Sequence, residues 1–429
     1  MPEAFLDYIR PMKTLPLDQL RLADHLRPGD VVGWPQGPGE PPALTRALIA
    51  QREDLRGCAL LFGLTASDTL QPALGEYFRF HALNGAGGSR RVSAMAEIHP
   101  CHVGTLPMLF RSGALRVDAM LIQVARLADG RYSLGVIADF TAAMIGQARV
   151  VIALLNPALP PLDGDAIVDA DDIDVLVEQD DRIFEMPDPE PSALDMKVAE
   201  QVANLIPDRA TIQLGIGTLP VAVAKALVHH RGLGVHSGVV SDLLVELAER
   251  GALTNAHKGI DAGATVTGGL FGTRRLRDFA VHGGAISMRS ADYTHSIEVA
   301  ARLSRFHTIN SAVEIDLSGQ VNSEVAGGRY LGAVGGQVDF VRAGLASPGG
   351  RSILAFTAAT PDGRHSRIVA SLDGRPVTTA RSDVDVIVTE YGAAHLRGCG
   401  LRERARRLIA IAHPDHRDAL KHAFERGAA

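Results

Sequence analysis

Residues 210–220 read Ala-Thr-Ile-Gln-Leu-Gly-Ile-Gly-Thr-Leu-Pro: a β-branched run, a turn holding Gly215 and Gly217, and Pro220 where a helix begins. Strand, glycine turn and helix in that order form one unit of an open parallel sheet. Ligands of such sheets gather at the carboxyl ends of the strands, where helix N-termini present free N–H groups. Pro220 falls where a dinucleotide fingerprint places its last glycine, and no Gly-Lys-Ser/Thr comes after it, so the turn is neither a Rossmann nor a P-loop signature. On spacing alone, a plain tight turn explains it as well as an anion site does.

The construction recurs near the chain start, where residues 30–48 read DVVGWPQGPGEPPALTRAL. Its segment PPALTRAL (41–48) aligns without a gap on PVAVAKAL (220–227). A second pair, AMLIQVARLADGRYSLG (119–135) and TINSAVEIDLSGQVNSE (308–324), stands at a slightly larger offset and reads as strand, glycine turn, strand. Two matches in the same order predict a duplicated α/β unit. Elsewhere short apolar runs such as VVIALL (150–155) and VDVIVT (384–389) alternate with helical patterns such as LLVELAERGAL (243–253). That alternation predicts two open α/β domains with parallel sheets.

A chain of 429 residues exceeds what one core usually organises. Residues 163–190 hold twelve acidic side chains against one arginine, and Pro187, Pro189 and Pro191 close the stretch before Ser192 caps a helix expected from Ala193 to Leu205. This reads as a solvated connector between domains 1–190 and 191–429. Apolar residues make up 46% and charged residues 21%, the composition of an ordinary globular protein. The net charge of −6, without any long basic run, offers no footprint for nucleic acid. No apolar stretch approaches the roughly 18–20 residues that span a bilayer. The start, MPEAFLDYIRPMK, carries Glu3 and Asp7 and lacks a signal core. Cys58, Cys101 and Cys399 stand far apart, so no disulfide framework is expected and a cytoplasmic location is. The sixteen histidines show no HExxH spacing, so no metal is expected, and no GxSxG elbow is present. A second glycine cluster, GAVGGQVDF (332–340), would press backbone amides against an oxyanion; a bulge or turn explains it equally.

Together QLGIGTLP (213–220), GVHSGVVSD (234–242), INSAVEIDLSGQV (309–321), GAVGGQVDF, SRIV (366–369), PVTTARSDVDVIVTEYG (376–392) and ERARRLIAIAHPD (403–415) resemble the acetyl-CoA hydrolase/transferase family, the class I CoA-transferases, and within it most closely the 4-hydroxybutyrate CoA-transferases. The resemblance implies an active site between two duplicated domains, coenzyme A or acyl-CoA as substrate with a small carboxylate as acceptor, no tightly bound cofactor, and a homodimer or higher homo-oligomer. It assigns Gly215, Ile216, Gly217, Thr218 and Leu219 to the CoA-binding turn, and Val313 and Gly336 to CoA contacts, Gly336 near the oxyanion. In that family a glutamate attacks the thioester, forms an anhydride, and then carries CoA as a thioester to the second carboxylate. The glutamate stands in a Gly-Ile-His-Ser-Glu segment; here the segment is Gly234-Val235-His236-Ser237-Gly238. Gly238 has no side chain to form the adduct. His236, two positions earlier and expected on the same face, is the candidate base, and Glu314 the candidate replacement carboxylate, against a structural role for it. Ser237 should point away, and Asp242 should cap the next helix. The expectation is an acyl-CoA-binding enzyme of transferase type that lacks the family nucleophile, hence a thioester hydrolase or another acyl-CoA-transforming enzyme. The alternative is a non-catalytic acyl-CoA-binding or partner subunit.

Overall fold

The computed structural model describes residues 12–427; residues 1–11, with Glu3 and Asp7, lie outside them. Two large sheets carry the chain. Edge to edge, the first runs Lys13–Pro16, Val175–Glu178, Val150–Leu155, Ala119–Arg126, Val31–Gly33, Ala59–Phe62, Arg79–Ala82 and Glu97–Ile98, every neighbour parallel. The second runs Gly392–His395, Val386–Thr389, Arg351–Ala355, Phe306–Asn310, Thr211–Leu214, Gly234–Ser237, Thr265–Thr267 and Ile286–Met288. It is parallel except for its first-named edge strand. That edge strand comes last in its half, whereas Lys13–Pro16 comes first in its own; the other seven strands succeed one another identically in both sheets. The inner strands are buried on both faces, which is why Ala119–Arg126 and Val150–Leu155 read as nearly unbroken apolar runs.

The duplication extends to the hairpin read from sequence. Leu127 N donates to Arg131 O at 2.8 Å, and Asp316 N donates to Gln320 O at 3.0 Å, the same turn once in each half. Gly130 and Gly319 hold φ of 90° and 99° in the two turns, where an L side chain would be strained.

The acidic stretch is only partly a connector. Its residues Val175–Glu178 form an inner strand of the first sheet, with Val175, Leu176 and Val177 buried. The acids on either side face solvent while the apolar positions pack inward, so composition hid a strand. Beyond it the chain is tied to the second half: Met186 N donates to Gly272 O at 3.2 Å and Glu185 pairs with Arg277 at 2.8 Å. Ser192 caps the helix Ala193–Ala203 in a capping box with Asp195, as its sequence requires.

No strand ladder longer than a single bridge joins the sheets among the described residues. The halves nevertheless share a hydrophobic cluster, in which Val136 and Ile137 of the first meet Leu270 and Phe271 of the second. Residues 187–192 carry no helix or strand and are mostly exposed. Limited proteolysis with a broad-specificity protease should therefore cut there first, and the fragments should co-elute until denatured because the cluster holds them. Early cleavage inside either sheet, with this segment intact, contradicts a domain boundary at this point.

Candidate active site

The strand Thr211–Leu214 delivers the chain to Gly215, and the helix Thr218–Ala226 begins just past Gly217. Gly217 sits at φ 113°, which only glycine adopts readily, while a β-carbon there would touch nothing within 4 Å. Backbone geometry rather than crowding thus demands this glycine. Ile216 is exposed at the tip of the turn and Leu219 packs beneath the helix. Thr218 opens onto a cleft of about 1420 Å³ shared with Val313, Glu314, Thr357, Arg364 and Arg367. Two of the expected CoA contacts, Thr218 and Val313, therefore line one wall system.

Glu314 reaches this cleft but is fully engaged. One carboxylate oxygen accepts from Arg375 at 2.6 Å and the other from Asn322 Nδ2 at 2.8 Å. Those bonds hold it as a structural ion pair, and releasing it would strand Arg375 beside the cleft.

Gly238 comes directly after the strand Gly234–Ser237. Its φ lies outside the left-handed region, so the backbone would accept a side chain. The obstacle is His295. A β-carbon at Gly238 would lie 2.7 Å from Cε1 and 2.9 Å from Nε2 of that imidazole. A β-carbon at Gly336 would lie 2.5 Å from the same Nε2 and 2.7 Å from Cδ2. The position assigned to the nucleophile and the position assigned to the oxyanion loop thus face each other across one histidine ring. Phe340 packs on that ring with centroids 4.5 Å apart, and Gly104 of the first half backs its β-carbon. Gly336 also precedes the helix Gln337–Ala346, whose first N–H groups have no intrahelical acceptor.

The halves place this ring jointly. Gly238 O accepts from Gly268 N at 3.0 Å, and Gly268 O accepts from Ala138 N at 2.7 Å. Asp139 O then accepts from Ala291 N at 2.8 Å, at the start of the one-turn helix Ala291–Thr294 that ends at His295. Asp139 is itself fixed by Gln36 and Thr141, and burial pushes its carboxyl pKa up.

His236 turns to the same side as the β-carbon position of Gly238, its ring against Phe306 and that position against His295 and Phe340, but it does not reach a substrate. It is sealed inside, Nε2 bonded to Thr294 O at 3.0 Å, its ring between Tyr293 and Phe306. Burial, then the nearby Lys258 cation, lowers its pKa to about 4, so it is a neutral packing group without access to a substrate. Ser237 points away as expected and donates to Leu214 O at 2.9 Å. Asp242 does not cap its own helix with its side chain; its carboxylate accepts from Thr273 N and Leu276 N at the start of the next.

Sequence reading missed His295. It lies far beyond Gly238 along the chain, with no motif of its own. The available signal was the paired glycines at 238 and 336, two adjoining vacancies that some other side chain had to fill. The fold also brings His81, Glu97 and His99 together on the edge of the first sheet, because the strands pair His81 with Glu97. The two imidazoles there already bond each other at 2.9 Å.

Gly238→Glu alone should cost about 1–3 kcal/mol, because the new side chain drives into the imidazole. Adding His295→Ala should recover most of the loss. Urea denaturation measures both, and a single variant as stable as the parent would show that the ring swings clear. A second expectation concerns acid. Burial, then the neighbouring His236, lowers His295 to about 3, and both histidines ordinarily titrate near 6.5. Below that value the unfolded chain takes up protons that the folded chain refuses. Stability should hold above pH 6.5 and decline toward pH 4, by roughly 1–2 kcal/mol per histidine at pH 5. His295→Asn should flatten this slope in denaturation series at pH 7 and pH 5; an unchanged slope would mean that His295 does not contribute to it.

The acetyl-CoA hydrolase/transferase C-terminal domain model matches residues 272–424. The chain is 38% identical over 394 residues to the 4-hydroxybutyrate coenzyme A transferase of Clostridium kluyveri, covering 90% of this chain and 92% of that one. Among solved structures, RipA from Yersinia pestis superposes with a TM-score of 0.89 at 30% identity, covering 98% of this chain and 99% of that one. A 4-hydroxybutyrate CoA-transferase from Porphyromonas gingivalis superposes with a TM-score of 0.81 at 32% identity, covering 97% and 98%. With matches of this length on a shared two-sheet architecture, the chain belongs to the acetyl-CoA hydrolase/transferase family of enzymes, the class I CoA-transferases.

Proposed function

We propose that this enzyme binds an acyl-CoA in the cleft beside Thr218 and Val313 and opens the thioester by transfer of the acyl group to water rather than through a glutamyl adduct. One observation carries the reading: the family's nucleophile position is Gly238, with no carboxylate, and its β-carbon position lies 2.7 Å from the His295 imidazole, which stands in that place instead. Glu314, the other candidate carboxylate, is neutralised by Arg375.

The cleft suits the cofactor half of the substrate. Arg364, Arg367 and Arg375 line it against Asp195 and Glu314, a net positive wall for phosphate groups. Arg367 is structural, its guanidinium donating to the carbonyls of Ala312 and Val313 and so shaping the Val313 contact. Arg364, mostly exposed and paired only with Asp362, is left to meet a phosphate. Among the described residues no helix is long and apolar enough to cross a membrane, in keeping with a substrate taken from water.

Short-chain acyl-CoAs, including acetyl-CoA and 4-hydroxybutyryl-CoA, should release free thiol at a rate independent of added acetate. Mass spectrometry of the denatured protein should show no CoA adduct. Transfer of CoA to acetate without free thiol, with an adduct on a glutamate such as Glu314, would overturn hydrolysis. Calorimetric binding of acyl-CoA without any turnover would instead establish a binding subunit.

A further inference from the structure

The hydrolytic reading leaves water without an activator, and the geometry points to one. We propose that His295 is the general base that takes a proton from the attacking water. The assignment rests on that reading and on four features of the ring.

The ring occupies the space between the nucleophile position and the oxyanion loop, bounded by Gly238 and Gly336. Its neighbour suits one tautomer: Thr294 Oγ1 lies 3.2 Å from Ser290 O, to which it can give its proton, and 2.9 Å from Nδ1 of His295, from whose N–H it can then accept. In that tautomer the lone pair is left on Nε2, 2.9 Å from the β-carbon position of Gly238 and 2.5 Å from that of Gly336. Nε2 has no hydrogen-bond partner among the described residues, and the residue keeps 8% of its surface open. Finally, burial keeps the ring neutral at physiological pH, so the proton-accepting form is the resting form.

Depth decides between base and nucleophile. Nε2 stands 2.9 Å from where a residue at 238 would carry its β-carbon. A glutamate there would extend two further carbons before presenting oxygen. With His295 as base, the attacking water takes the place of that reach, between Nε2 and the thioester. In the step, Nε2 takes one proton from water as the water oxygen bonds to the carbonyl carbon. The carbonyl electron pair moves onto oxygen, facing the N–H groups at the start of the helix Gln337–Ala346. When the carbonyl re-forms, the C–S bond breaks and CoA leaves with the electron pair as thiolate. The imidazolium, made acidic by its burial, returns its proton to that sulfur. Acyl-CoA and water become carboxylic acid and CoA thiol, and His295 ends as it began.

The test uses the full-length enzyme, acetyl-CoA and butyryl-CoA, with free-thiol detection beside acyl-CoA calorimetry. His295→Asn, which can keep the Thr294 contact, should lower kcat by about 100-fold or more while KM and the dissociation constant move less than about threefold. His295→Ala leaves a hole the size of an imidazole, and millimolar imidazole added to it should restore at least tenfold of the lost rate. Turnover by His295→Asn within threefold of the parent overturns the assignment. So does loss of binding and kcat together in both variants without rescue by imidazole, which is the behaviour of a merely structural ring. A parent enzyme that releases no thiol overturns the hydrolytic reading and this assignment with it.

Discussion

Close approach of backbone to backbone across the seam between the two sheets is the constraint on which the site depends. Gly332 O accepts from Gly85 N at 2.8 Å, Gly335 O from Val103 N at 3.0 Å, and Gly268 O from Ala138 N at 2.7 Å. These bonds tolerate almost no side chain. A β-carbon at Gly85 would lie 2.5 Å from Tyr330 O, and one at Gly268 would lie 2.9 Å from Gly238 O. Each bond adds only about 1 kcal/mol net, but a buried carbonyl left without its donor costs more. The seam therefore fixes the loops in space: the loop of Gly332 and Gly335 hangs on residues 85 and 103, and the His295 helix hangs on Asp139. Neither half possesses the site by itself.

Much of this was legible in the sequence, for reasons that differ from segment to segment. The strand-turn-helix unit at 211–226 could be read because each step has a local cause: β-branched residues, a glycine the turn requires, and a proline at the helix start. The hairpin match at 119–135 and 308–324 could be read because the turn glycine recurs at the same place in both segments. The capping box at Ser192 is equally local. Failures came where the cause was distant. Val175–Val177 looked like part of an acidic linker because charge was counted over a window longer than the strand. Asp242 looked like a cap for its own helix, yet its carboxylate is claimed by Thr273 and Leu276, brought in by the fold. His236 obeyed the two-residue period of a strand and turns to the side of Gly238, but the fold buries it against Tyr293 and Phe306, which period alone does not show.

His295 shows the same limit at the point that matters most for chemistry. Gly238 alone reads as a missing nucleophile, and from that a sequence supports loss of activity as readily as change. Gly336 alone reads as an oxyanion glycine. Only when both vacancies are seen to border one ring does the absence become a substitution, with a polar nitrogen standing where the carboxylate would have begun. A close-packed interior does not leave such a vacancy empty, and a side chain that fills it excludes any other.

That exclusion links the residue at 238 to the reaction the site can perform. A carboxylate there would be covalent: it would hold acyl or CoA by a bond, and exchange could proceed without either group entering water. An imidazole set one side-chain length deeper cannot span that distance, so in the proposed assignment the attacking group is a small molecule held between it and the thioester. Whether the acyl group goes to water or to another carboxylate is then decided by what fits that gap and gives up a proton. Water does both. A carboxylate acceptor is already ionised near neutral pH, so a base has no proton to take from it. In the proposed assignment, an imidazole at this depth in place of a carboxylate favours hydrolysis over transfer.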